Sequence, residues 1–345
     1  MNLPDFFGLD IGNHSIKVAQ IKHLGTSKAE LIAIGSIESN TGITNLKEEA
    51  AKQTLADKIK QVKEASGIHT KIVVAALPES TVFTKVIEVP NLPENELDQA
   101  IFYEARQHIP IPPSDAQLDH IPLSEPDPGE KMLKTLLVAA PKTLVNLYME
   151  IMEKAGFDLI ALETETVATA RTVTFSGNQQ GNSLIIDFGA HGLDMSVIKG
   201  SKLIFSQSLG TGSDALTKAI ASDFGLEYGQ AEQYKRTYGI VKDQAEGKIF
   251  RSVLPVMQVI INEINKTINY FRTYLQESTP TKVLLVGDGA KLPGLSEFFR
   301  EQLGIETLLI DPVANLEVNA RIKSEVAQLS TVGFTVAVGL ALKEG

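Results

Sequence analysis

The 345-residue chain contains no cysteine and no tryptophan, and only 6% of its positions are aromatic. Without cysteine there are no disulfides, no thiolate metal ligands and no cysteine nucleophile, and nothing signals an oxidising compartment. Long apolar runs are also missing. Stretches such as Phe334–Leu342 reach about half the ~20 residues that span a bilayer. The start, MNLPDFFGLD, has neither a basic region nor an apolar core, so no secretory signal is expected. Positive charge is in deficit. A formal net charge of −10 argues against nucleic acid or an anionic membrane as the main direct partner. What remains is an ordinary globular mix, 43% hydrophobic and 21% charged, long enough for two domains or three and expected to be soluble and cytoplasmic.

The most informative feature is a repeat. LDIGNHSIK at Leu9–Lys17 is echoed by IDFGAHGLD at Ile186–Asp194, an offset of about 177 positions. Asp10 falls on Asp187, Gly12 on Gly189, His14 on His191 and Ile16 on Leu193. Each copy reads as a strand ending in Asp, a tight Gly turn and a second strand of alternating residues. Such a turn aims successive backbone N–H groups into one concavity that suits an anion. The neighbouring carboxylate suits a divalent cation, held directly or through water. Two such hairpins imply two lobes gripping one phosphate chain.

Along the chain, Phe6–Ile11, Ser15–Ile21 and Glu30–Ile37 pattern as strands, followed by an amphipathic helix over Lys47–Ala65 closed by Gly67. Lys71–Leu77 reads as a buried strand and Val82–Val89 as another. From position 89 the texture changes to a helix over Glu94–His108, strands at Leu118–Leu123 and Met132–Ala139 around the polar turn SEPDPGEK, and a helix at Leu144–Gly156. This helix–hairpin–helix segment reads as a module inserted in the first lobe. A strand at Asp158–Leu162, a helix at Glu163–Phe175 and a polar linker at Ser176–Asn182 lead to the second hairpin region, Ser183–Ser208. Then follow a Gly turn entering a helix, helices at Ala231–Tyr238 and Leu254–Gln276, a buried strand at Lys282–Gly287 breaking into GDGAKLPG, a helix at Leu295–Leu303 and a closing helix in VGFTVAVGLALKE. The implied domains are first lobe 1–88 and 158–182, inserted module 89–157, second lobe 183–330 and closing helix 331–345.

Three glycine turns, at Gly12, Gly189 and Gly287/Gly289, each end an apolar strand, where α/β sheets bind ligands. Lys17, five residues beyond Gly12, either reaches back to a phosphate or is a solvent-facing strand lysine. His14 and His191 recur at one turn position; with no third ligand at metal spacing they read as turn residues. Glu163 and Glu165 open a helix, where acids suit the dipole, and either alternatively orients an attacking water. Glu232, Lys235 and Arg236 are most simply a solvated helix face.

The order LDIGNHSIK, LIIDFGAHGLD, LGTGSDALT, AEQYKRTYG, VLLVGDGAKLPGL resembles the actin-like ATPase superfamily. The segment VPNLPENELDQAIFYEARQHIPIPPSDAQLDH is very similar to the inserted subdomain of the type IV pilus assembly PilM family. That resemblance implies an α/β actin-like ATPase fold: two lobes around a nucleotide cleft, with a small inserted α+β subdomain in the first. It implies ATP and Mg²⁺, with Asp10 and Asp187 on the metal or its waters. Gly12, Asn13, His14, Ser15 and Lys17 would line one phosphate turn, with Gly189, Ala190 and Gly212 opposite. Glu232 and Lys235 would approach the ribose and base, and Gly287, Gly289 and Ala290 the adenosine. Glu165 matches the helix that positions water in hydrolysing relatives, and at most weak turnover is expected. The implied setting is the cytoplasmic face of the inner membrane, reached indirectly by binding a PilN-like N-terminal cytoplasmic peptide between module and first lobe, with links to the pilus motor and platform. Departures from the family pattern are Asn13-His14 in the first turn, Ser213 where a glycine is common, and Asp288, an acid that repels phosphate if it faces inward. Two rivals share the fold: an FtsA-like tether, expected to carry a C-terminal amphipathic membrane helix after a linker where this sequence stops at LALKEG, and a sugar kinase or robust ATPase, expected to show a sugar-binding acid and a larger substrate lobe, neither of which is identified in the sequence.

Overall fold

The computed structural model describes residues 3–25, 28–39, 42–123, 131–177, 181–274 and 278–344. Most of the SEPDPGEK turn, the middle of the Ser176–Asn182 linker and the expected helix end at Leu275 and Gln276 lie outside them.

The first repeat folds as expected. Strands β1 (Phe7–Ile11), β2 (Ser15–His23) and β3 (Ala29–Glu38) form an antiparallel meander. Helix α1 (Glu49–Ala65) buries Leu55, Ala56, Ile59 and Val62, and its chain reverses at Gly67. It leads to β4 (Ile72–Leu77), parallel to β1 and apolar throughout. β5 (Phe83–Pro90) follows, then α2 (Glu94–Ala105), β6 (Ala116–Pro122), β7 (Met132–Pro141), α3 (Lys142–Ala155), β8 (Asp158–Thr164) and α4 (Glu165–Phe175). The second repeat is β9 (Asn182–Phe188), β10 (Leu193–Lys199) and β11 (Lys202–Leu209). Beyond it come α5 (Ser213–Phe224), α6 (Tyr228–Tyr238), α7 (Lys248–Tyr274), β12 (Lys282–Val286), α8 (Leu295–Leu303), β13 (Glu306–Leu309), β14 (Glu317–Val318), α9 (Lys323–Gln328) and α10 (Thr335–Ala341).

The sequence duplication is a duplication of topology. One sheet runs β14-β3-β2-β1-β4-β8 and the other β11-β10-β9-β12-β13. In both, an antiparallel three-strand meander continues through its first strand into a parallel pair. Helices α1 and α3 cover one face of the first sheet, with Ile59, Val62, Tyr148 and Ile151 in a common core. The second sheet packs on α5, α7 and α8 through Leu216, Met257, Ile260 and Phe299. Between the sheets lie α4 and α10. Ala170 and Val173 of α4 meet Ile185 and Ile198 of the second sheet, while Ala168 meets Val336 and Leu340 of α10. Gly8 allows this closeness, because a Cβ there would collide with the Ala337 carbonyl.

Three assignments shift. β5 pairs along its whole length with β7 in a separate three-stranded sheet, β5-β7-β6, which α2 covers through Leu97, Ile101 and Ala105. Alternation identified the strand but not its partner, so position 89 falls inside the module's sheet. α3 packs on α1 and the first-lobe core, because Leu144, Tyr148, Ile151 and Met152 need that apolar face. β14 joins β3 of the first sheet although the chain there reads as second lobe. The closing helix also shortens: a 3₁₀ turn at Thr331–Phe334 precedes α10.

Candidate functional site: a cleft between two glycine hairpins

In the first hairpin Asp10 pairs directly across from Lys17, and in the second Asp187 pairs across from Asp194. Directly opposed residues share one face of a ribbon, so each hairpin turns two charged side chains the same way. The first turn is closed by Gly12 N–H donating to Ser15 O at 3.0 Å. The second is braced by α5: the N–H groups of Ser213 and Asp214 donate to the carbonyls of Gly189 (3.0 Å) and Ala190 (2.9 Å). Gly212 permits that docking, since a Cβ would collide with the Ala190 carbonyl.

The turns face each other across a cleft of about 1100 Å³. Asp10, Gly12, Asn13, His14, Ser15 and Lys17 line it from the first lobe, and Asp187, Gly189, Ala190, Asp194, Gly287 and Gly289 from the second. Glu165, at the start of α4, also lines it.

The floor is crowded with carboxylates. Burial raises Asp10 to about 6, against the pull of Lys17. Burial and the charges of Asp194 and Asp10 raise Asp187 to about 7. Asp194 also reaches about 7, mainly through burial. Glu165 is pushed well above the ordinary range by burial, then by Asp194 and Asp10. One ammonium serves this group, that of Lys17, and it donates to Asp288 Oδ2 at 2.6 Å. Such a surplus of hard oxygen donors is the chemistry that Mg²⁺ takes, and a cation would return the acids to their charged form. Beside it, Gly287 has φ +85° and a Cβ there would collide with Asp187 Oδ1, so the third glycine turn touches the carboxylate.

On the opposite wall Thr217 Oγ1 donates to Glu232 Oε2 (2.6 Å), and the ammonium of Lys235 lies 2.7 Å from the same oxygen. Burial works against the Glu232 charge, but Lys235, Thr217 and Arg236 hold it at about 2. Lys235 is buried and donates to Ser213 O at 3.1 Å. At the mouth, His14 Nε2 lies 3.1 Å and His191 Nδ1 2.8 Å from Asp214 Oδ2.

The sequence profile of the family "Type IV pilus assembly protein PilM" matches residues 8–345. The chain belongs to the PilM family. A solved structure titled "PilM-PilN type IV pilus biogenesis complex" is 28% identical, with a TM-score of 0.86 over 98% of each chain. The cell division protein FtsA of Streptococcus pneumoniae serotype 2 (strain D39 / NCTC 7466) is 25% identical over 89% of this chain and 75% of its own. MreB5 of Spiroplasma citri bound to ADP shares the fold at TM-score 0.53 and 14% identity, over 97% of this chain and 94% of that one. Like these PilM and MreB neighbours, the chain has the actin-like ATPase fold, and its family is one of type IV pilus assembly. No helix among the described residues is long and apolar enough to cross a membrane.

In this PilM-family cleft two nominated residues stand back from the wall. Gly212 supports it from behind, and Ala290 is buried in the second-lobe core. Glu163 is not on the helix it was expected to open. Thr164 caps α4 by accepting from Val167 N–H, as threonine does, and leaves Glu163 on β8. There Arg171 binds it with two guanidinium nitrogens (2.8 and 3.0 Å), and Lys343 donates at 2.6 Å. Glu165 alone of the two acids enters the cleft. Lys17 is no solvent-facing lysine, and Lys235 is no part of a solvated face, although Arg236 largely is. Sequence reasoning missed Asp194, which the repeat aligns with Lys17, and Glu79, which is buried and donates its N–H to Glu165 Oε2 (3.0 Å). It also missed Asp214 as the third donor beside the histidines.

Proposed function

We propose that the chain is a nucleotide-binding scaffold of the type IV pilus assembly machinery, in which Mg-ATP between the lobes sets their closure and thereby the affinity for a PilN-like N-terminal peptide. The observation carrying this reading is the pair of Asp-Gly hairpins facing each other over one carboxylate-rich floor. Asp10 and Asp187 would hold Mg²⁺ or its waters, and the ion would offset phosphate charge. The backbone amides of the two turns cradle phosphate oxygens, and Lys17 adds a point charge. Glu232 and Lys235 contact the ribose and base, and Gly287 and Gly289, on the cleft lining, approach the adenosine through their backbone. Glu165, whose pKa burial raises and a bound cation would lower, orients a water.

The peptide docks between the module and the first lobe, and through it the protein, itself cytoplasmic, is tied to the inner membrane, motor and platform. The module exposes Phe102, Tyr103, Ile121 and Met132, which offer apolar surface to such a segment. The binding reading is tested by calorimetric titration with Mg-ATP. Wild-type protein binds one equivalent, and Asp187→Asn weakens Mg²⁺-dependent binding at least tenfold. Equal binding by both proteins would sink the assignment of the cleft.

A further inference from the structure

His14, His191 and Asp214 come from three separate elements: the β1–β2 turn, the β9–β10 turn and the first turn of α5. Their donor atoms all lie within 4.8 Å of one another, and both imidazoles approach the same carboxylate oxygen, at 3.1 and 2.8 Å. The two rings meet edge to face with centroids 5.1 Å apart. We propose that these three side chains bind one transition-metal dication of the zinc class, bridging the lobes at the mouth of the cleft.

Nitrogen and carboxylate ligands bind Zn²⁺ at about 2.0–2.2 Å, so tetrahedral donors sit about 3.3 Å apart, near the 3.1 and 2.8 Å from the two imidazole nitrogens to Asp214 Oδ2. The imidazoles are reachable, being 49% and 56% exposed, whereas Asp214 is largely buried. Tyr228 OH donates to Asp214 Oδ1 at 2.9 Å, which fixes the carboxylate and leaves Oδ2 for the metal. Two imidazoles and one carboxylate favour zinc, cobalt or nickel over magnesium, which the all-oxygen set at Asp10 and Asp187 suits instead. The two sites are therefore separable by metal type. Three protein ligands leave a fourth position for water or an anionic oxygen. A metal there ties the first-lobe turn to α5 of the second lobe, so it favours the closed arrangement. The site stands on these side chains alone and requires no nucleotide.

Cobalt titration of the full chain, in excess Mg²⁺ and without nucleotide, tests it. The absence of cysteine removes thiolate competitors. Wild-type protein takes up one equivalent with a visible low-symmetry Co²⁺ spectrum that Zn²⁺ displaces. His14→Ala and His191→Ala each weaken uptake at least tenfold, while His23→Ala leaves it unchanged. On the wild-type chain alone, Zn²⁺ shifts the imidazole NMR signals of His14 and His191 and raises the Tm, and chelator reverses both. An unchanged spectrum in both histidine variants would move the ion to the Asp10/Asp187 oxygens and overturn the proposal. So would wild-type protein with no saturable uptake or with unshifted His14 and His191 signals.

Discussion

Asp288 lies between two ammonium groups, Lys17 at 2.6 Å and Lys291 at 2.7 Å. Burial disfavours its charge, but the lysines hold its carboxyl at about 2. This acid therefore faces the cleft as a neutralised partner of Lys17, not as a bare negative charge. In the proposed Mg-ATP complex it would compete with phosphate for that lysine. Because Asp288 is half exposed, the competition is worth about 1 kcal/mol. Asp288→Asn should accordingly tighten Mg-ATP about fivefold, read by calorimetry. Gly287 has the opposite sensitivity. With φ +85° and no room beside Asp187, Gly287→Ala should cost about 1–3 kcal/mol of stability by denaturant unfolding. The displaced Asp187 should also abolish Mg²⁺-dependent binding. Residues such as Asp10, Gly12 and Asp187 were legible because a strand, an acid and a glycine turn recur in sequence. The pairings of Asp214 with His14 and of Asp288 with Lys17 were not. Those residues lie 200 and 271 positions apart, and no local pattern encodes a contact made only when two lobes meet.

Among the elements, α4 has the most to coordinate. It packs on the second sheet and on α10 while presenting Glu165 to the cleft. Its anchor is Glu163 on β8, gripped by Arg171 and Lys343; Arg171 also donates to Gly339 O at 2.6 Å. Burial works against the Glu163 charge, yet Arg171 and Lys343 lower its pKa below the ordinary value of 4.5. A carboxylate lowered in the fold adds stability above its unfolded value and loses it as pH falls through the folded one. The tie should therefore weaken progressively below about pH 4.5 and be intact at neutrality. Glu163→Gln should cost about 2 kcal/mol at pH 7, typical of hydrogen bonds to a charged group, and flatten that acid limb in urea unfolding. Helix periodicity found α1 and α7 because each buries one apolar face. It misplaced β5 and α3 because alternation and amphipathicity reveal that a face is buried without naming what buries it.

Across the whole molecule, the repeated strand order makes two similar sheets, and the space between their hairpins is the cleft. Among the described residues the Lys17–Asp288 ion pair and the His14–Asp214 hydrogen bond cross it directly, so the lobes are held together by groups that a ligand would compete for. A ligand that rearranges these pairs changes lobe closure, and a peptide docked beside the first lobe senses it only if its own affinity differs between the two states. Coupling of this kind is reciprocal and typically worth about 1–3 kcal/mol. The decisive experiment is a paired calorimetric titration of wild-type protein: Mg-ATP with and without a synthetic PilN-like N-terminal peptide, then peptide with and without Mg-ATP. A nucleotide-gated scaffold gives the same affinity ratio, about fivefold or more, in both directions. Tight binding of each ligand with an unchanged affinity for the other would show that the cleft does not govern the partner surface, and would contradict it.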